Sequence, residues 1–191
     1  MMRRNPERRA ALTDAAIEVL AEEGARGLTF RAVDAKAGVP TGTASNYFAN
    51  RDDLLHQVAE RFYERLQPDE ATIARQLSSD RTRETYTQLM RELVERVSDF
   101  RSGYLALLEL RLEATRRPKL REVLTQRVRA DVDANVTYHE SSGLPGDAMA
   151  VRLLILTFNW LIVEQLTLPE VFSEAEREKL IKTAVERLVL P

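Results

Sequence analysis

The chain has 191 residues, 44% of them hydrophobic and 30% charged, with 28 basic and 30 acidic side chains and a net charge of −2. That balance excludes a disordered polyelectrolyte and describes a globular chain long enough to bury a sizeable core. It has no cysteine, which excludes disulfides, thiol catalysis and Cys-type zinc sites and is compatible with a reducing cytoplasm.

Taken in order, Met1-Met2-Arg3-Arg4 leads straight into polar sequence, with no apolar core of a signal peptide. Residues 5 to 23 are predicted as a first helix. Asn5 caps it, Pro6 suits its first position, and Leu12, Ala16, Val19 and Leu20 share one face before Gly24 ends it. Thr29 can cap a second helix, because its hydroxyl can take up a free backbone N–H ahead of Phe30, Val33, Ala35 and Ala37. Gly38 stops that helix and Val39-Pro40 turns the chain, since the residue before proline is biased away from helix. Thr41 is a second plausible cap, opening a helix of about two turns that ends at Tyr47 or Phe48. Two short helices around a glycine-containing turn form the helix-turn-helix signature. Phe30, Val33, Val39 and Phe48 are expected to share a small core with the first helix.

Thr41, Thr43, Ser45, Asn46 and Tyr47 give the second of these helices short hydroxyls, an amide and a phenol, with no charge. Thr, Ser and Asn carry helix-propensity costs that a scaffolding helix need not incur. Such side chains can donate and accept hydrogen bonds at phosphates and base edges in a major groove, and Gly42 allows a close backbone approach. A small polar corner between two helices is the plainer alternative. Acidic net charge weighs mildly against a DNA partner; Arg3, Arg4, Arg8, Arg9, Arg31, Lys36 and Arg51 gathered on one face would offset it locally.

The segment LTFRAVDAKAGVPTGTASNYFANRDDLL resembles the DNA-binding domain of the TetR family of transcriptional regulators. The resemblance rests on Thr29, Ala37-Gly38-Val39, Gly42, Tyr47-Phe48, Arg51 and Asp53-Leu54-Leu55, and covers roughly the first 60 residues. It departs at Thr41, where many members carry Lys or Arg, and at Ala44-Ser45-Asn46. The resemblance implies a ligand-responsive transcriptional regulator, a repressor released from operator DNA by a small-molecule inducer, working as a cytoplasmic homodimer without cofactor. Thr41, Gly42, Thr43, Ser45, Asn46 and Tyr47 are then expected in the groove, with Thr29, Arg31 and Arg51 on phosphates. The rival reading is a helical protein- or small-molecule-binding module without specific DNA recognition.

Beyond the motif, Asn50 is expected to cap a fourth helix, with Asp52 and Asp53 in its first turn and Leu54, Leu55, Val58, Phe62 and Leu66 on its apolar face. A polar segment, 69 to 82, marks a linker with a helical turn around Ile73 and Leu77. Helices follow around residues 86–97, 100–116 and 120–136; after the loop from Ser141 to Gly146 come 147–166 and a last helix whose Ser173 and Glu176 are spaced as a capping box. The expected fold is all-α, with about nine helices: a helix-turn-helix domain over 1–50 and a ligand-binding and dimerisation bundle over 51–191.

The 147–166 helix is apolar nearly all round, and such a helix must be covered on every side. Its longest apolar run, Leu153 to Val163, interrupted by Asn159, is shorter than the roughly 20 residues of a membrane span. A two-fold dimer through a four-helix interface that includes Leu154, Leu161, Ile181, Val185 and Leu188 is expected to cover it, with the centre of a monomeric bundle as the alternative. Tyr63, Tyr86, Phe100, Tyr104, Leu108, His139, Phe158 and Asn159 are candidates to line a ligand pocket, with plain core packing as the alternative. There is no HExxH, GxGxxG, GxxxxGK or GxSxG pattern and no cluster of metal ligands, so no catalytic or metal residue is expected.

Overall fold

The structure, a computed structural model, describes residues 5–189; Arg3, Arg4 and the side chain of Leu77 lie outside the described residues. Among the described residues every regular element is a helix: α1 (Pro6–Gly27), α2 (Phe30–Lys36), α3 (Thr43–Tyr47), α4 (Arg51–Leu66), α5 (Glu70–Ser78), α6 (Arg83–Asp99), α7 (Arg101–Ala114), α8 (Pro118–Ser142), α9 (Ala148–Thr167) and α10 (Glu174–Leu188). The helix beyond the expected nine is α5. Asp69 caps it by accepting from the Thr72 N–H at 2.7 Å, so a stretch polar enough to read as a linker is ordered locally.

The expected caps form. Asn5 accepts from the N–H groups of Glu7 and Arg8, Thr29 from Ala32, and Asn50 from Asp53. Ser173 and Glu176 satisfy each other's backbone in a complete capping box. Gly24, at φ +68°, breaks α1 one turn before its end, a conformation that glycine adopts without a Cβ penalty.

Two compact units divide the chain, one of residues 1–67 and 100–126, the other of 68–99 and 127–191. In the first, α1 packs on α2, α4 and α7, burying Leu12, Ala16, Ile17, Val19 and Leu20. Val33 and Phe48 join them fully, Phe30 and Val39 by half. Each fully buried Val, Leu, Ile or Phe among them contributes about 1.5–3 kcal/mol of transfer free energy. Because α4 belongs to this unit, the boundary expected at residue 50 does not coincide with the division between the compact units.

In the second unit α9 packs against α6 and α10. Its buried residues are Ala150, Val151, Leu154, Phe158, Leu161, Ile162 and Leu166. This burial bears on the expected dimer surface. Leu154 (2% exposed) and Leu161 are enclosed by the chain's own packing, as are Ile181 and Val185 (0%), while Leu188 is half-buried; side chains already covered have little surface left for a second copy. The apolar residues left open on α9 are Met149, Leu153, Leu156 and Trp160, exposed by 58, 40, 68 and 65%. By length and composition α9 is also sufficient to cross a membrane, with a mean hydropathy of 1.5 over its most apolar window. Of that window 39% is buried within the chain, and α9 packs against α6 and α10.

Candidate nucleic-acid interface

A five-residue helix has no stability of its own, so α3 depends on what grips its ends. Gly38 (φ +63°) lets α2 stop, and Gly42 (φ +92°) occupies the cap position of α3. The cap is not Thr41, as expected, but a side chain from α2. Asp34, 1% exposed, accepts from the Gly42 N–H through Oδ2 and from the Ala44 N–H through Oδ1, both at 2.7 Å. A carboxylate thus satisfies two of the free donors that open a helix, in the charge-assisted form that is strongest. At the other end Arg9 donates to the Tyr47 carbonyl at 2.9 Å, its guanidinium 5.6 Å from the centre of the Phe48 ring.

The clamp leaves one face of α3 outward. Thr41, Ser45 and Asn46 are exposed; Gly42, Thr43 and Tyr47 are half-exposed. Thr43 Oγ1 donates to the Pro40 carbonyl at 2.5 Å and Ser45 Oγ to the Gly42 carbonyl at 2.8 Å. Nearby, Thr29 and Arg31 are exposed beside the start of α2.

Arg51 departs from its expected place on a phosphate. Its guanidinium donates to the Ala25 carbonyl and its Nε is buried, so it joins the end of α1 to the start of α4. Two more of the expected basic residues are engaged: Arg9 with Tyr47, and Lys36 with Glu22 at 2.7 Å. Arg8 and Arg31 remain exposed, so the basic face is smaller than composition suggests.

The Gly24–Ala25 break is held from α7 as well: Glu109 accepts from the Ala25 N–H at 3.0 Å. One turn on, Glu113 pairs with Arg117 at 2.9 Å, and Arg117 reaches Asp52 of α4 at 2.6 Å. The Arg117 hydrogen bond holds the Glu113 carboxyl below its ordinary value of 4.5. A depressed folded-state value contributes stability that is complete above 4.5 and lost as pH falls through the folded value. Thermal stability is therefore expected to decline on acidification below 4.5, and Glu113→Gln to flatten part of that decline. Melting curves across the acid range check it; an unchanged acid limb would remove the pair from the stability account.

The ligand candidates fall in both units. In the first, Tyr63 and Phe100 pack against Phe62 at 5.1 and 5.9 Å between ring centres, and Tyr104 meets it at 6.3 Å; Leu108 is half-buried. In the second, Tyr86 lies 5.2 Å from the ring of His139, whose Nε2 is 3.2 Å from the Gly146 carbonyl. Burial pushes the phenols of Tyr86 and Tyr104 up to about 12, so both are neutral donors at neutral pH. Phe158 is buried, but Asn159 is exposed. Consecutive helical residues point about 100° apart, and the buried face of α9 takes Phe158 and leaves Asn159 outside.

Comparison with known proteins bears on both segments. Residues 12–58 match the family described as bacterial regulatory proteins, tetR family, and residues 81–191 match the tetracyclin repressor-like C-terminal domain. Among solved structures, a putative TetR-family transcriptional regulator from Mesorhizobium loti aligns with TM-score 0.78 at 18% identity, over 97% of this chain and 96% of that one. A TetR-family member from Streptomyces coelicolor is 28% identical over 97% and 100% of the two chains, with TM-score 0.69. The multidrug binding protein EbrR, complexed with imidazole, is 28% identical over 98% and 97%, with TM-score 0.64. No curated protein sequence matches.

Proposed function

The chain belongs to the tetR family of bacterial regulatory proteins, and we propose that it is a cytoplasmic, dimeric, sequence-specific repressor that leaves its operator when a small molecule binds. The observation that carries this reading is the outward face of α3: uncharged hydrogen-bonding groups held by Asp34 and Arg9 and left exposed or half-exposed among the described residues. Thr41, Thr43, Ser45, Asn46 and Tyr47 read the groove, with Gly42 allowing close approach, while Thr29 and Arg31 hold phosphates and fix register. Arg51 orients α4 from inside. Residues 1–50 carry DNA binding; residues 51–191 carry ligand binding and dimerisation.

The open α9 face of Met149, Leu153, Leu156 and Trp160 supports a two-fold dimer, which presents two copies of α3 to half-sites at least one helical turn apart. The ligand is a partly apolar small molecule held among the aromatic residues of 51–191, in keeping with EbrR being a multidrug binding protein. Such a ligand must bind the DNA-free state better than the bound one, and operator DNA must weaken ligand binding by the same factor. No catalytic role is assigned.

The test is a division of labour between side chains. On duplexes selected from a random pool, Asn46→Ala is expected to change which base is preferred at one position. Arg31→Ala is expected to weaken all sequences alike and to reduce the salt slope by about one. Uniform losses from both variants would sink this assignment of α3.

A further inference from the structure

We infer that Thr43 and Ser45 enter the groove as hydrogen-bond acceptors, so that α3 selects bases carrying an exocyclic amine, adenine N6 or cytosine N4, over the keto oxygens of guanine and thymine. The inference rests on the DNA-binding reading of α3 and specifies what that surface recognises.

A hydroxyl has one proton and two lone pairs, whereas a backbone carbonyl has no proton to give. In the bonds from Thr43 Oγ1 to the Pro40 carbonyl and from Ser45 Oγ to the Gly42 carbonyl, the hydroxyl must be the donor. Each proton is spent within the chain, and what each oxygen has left to offer is a lone pair, on the exposed Ser45 and the half-exposed Thr43. An amine arriving from the groove adds a hydrogen bond and disturbs nothing. A keto oxygen can be met only by turning the proton away from the carbonyl, which exchanges one bond for another. The difference is about one net hydrogen bond per contact, equivalent to roughly three- to tenfold in affinity.

The rest of α3 agrees with this polarity. No lysine or arginine lies between Thr41 and Tyr47, so the usual bidentate partner of guanine O6 and N7 is missing from the helix. Asn46 is exposed, and an asparagine amide pairs bidentately with adenine N6 and N7. Every base pair offers one amine in the major groove, from adenine in A·T and from cytosine in G·C. Acceptor-only contacts therefore read which strand carries the amino base. Positions met by Thr43 and Ser45 are expected to be restricted to A or C on the contacted strand.

Analogue duplexes test this with the wild-type, full-length chain, so the outcome does not depend on a variant folding. In a duplex selected from a random pool, each adenine is replaced in turn by 2-aminopurine, which still pairs with thymine but moves the amine to the minor groove. Each cytosine is replaced by N4-methylcytosine, whose methyl occupies the groove side of the amine, and each guanine by 7-deazaguanine as the converse probe. Loss of three- to tenfold in affinity is expected at amine-altered positions, one of them becoming insensitive in Ser45→Ala and another in Thr43→Val. Specific binding that no amine replacement weakens, or a Ser45→Ala or Thr43→Val effect that tracks 7-deazaguanine instead, would overturn the polarity and leave the regulator reading standing. A pool that yields no preferred duplex would overturn both.

Discussion

Asp34→Ala is expected to weaken specific duplex binding about a hundredfold and to destabilise the fold by about 3 kcal/mol, since each hydrogen bond to a charged group contributes roughly 1.5–3 kcal/mol and buried donors are left unmet. Asp34 is enclosed, and both of its oxygens serve the opening turn of α3. Without them the first turn keeps, among the described residues, only local bonds such as those from Thr43 to the Pro40 carbonyl, and a helix of five residues does not persist alone. At 1.4 kcal/mol per tenfold, ordering α3 on DNA would then cost about two powers of ten in affinity. Asp34→Asn keeps one accepting oxygen and turns an amide toward the other N–H, so it should fall between wild type and alanine. Urea unfolding and fluorescence anisotropy on one preparation check this. A variant that keeps wild-type affinity would show that α3 does not need its cap.

Trp160→Glu, alone or with Leu156→Glu, is expected to convert a dimer into a monomer in sedimentation velocity at micromolar concentration. Large aromatic residues at the centre of an interface commonly cost about 2 kcal/mol or more on truncation. In a two-fold interface each substitution occurs twice, and here it also brings a charge into the contact. The dimer dissociation constant should rise at least about a hundredfold, the equivalent of roughly 3 kcal/mol, and operator affinity should fall with it. Trp160 and Leu156 are open in the single chain, so the melting temperature of the monomer should change little. Leu154→Ala separates the two faces of α9. Leu154 is enclosed, and the variant should lose about 2–5 kcal/mol of stability through the cavity it leaves. A Trp160→Glu chain that remains dimeric would place the interface elsewhere.

These two cases also mark where the sequence was readable. Caps made within one turn, such as Asn5, Thr29, Asn50 and Ser173, were legible because donor and acceptor are separated by two or three residues. The cap of α3 was not. Asp34 lies eight and ten residues before its partners, and only the path of the turn through Gly38 and Gly42 brings it there; Thr41 was the local candidate. The outward face of α9 was ambiguous for a different reason. Where nearly every residue is apolar, periodicity has no polar side to orient it, and Leu154 and Leu161 were as good a choice as Leu156 and Trp160. Arg51 illustrates a third limit. Its position beside α4 was legible, but the direction of a long side chain is set by its tertiary partner, here the Ala25 carbonyl. The outward polar face of α3 was read from composition alone, because hydroxyls and an amide on so short a helix serve no packing need.

The most direct measurement is binding of the purified chain to the intergenic DNA upstream of its own coding sequence, at two salt concentrations and against a scrambled duplex of the same length. The account predicts a two-chain complex that prefers the natural duplex by about a thousandfold or more, the range of specific over non-specific binding, and retains that preference as salt rises. Weak binding that is equal on both duplexes and disappears with salt, repeated on duplexes selected from a random pool, would contradict it and favour a helical binding module without DNA recognition.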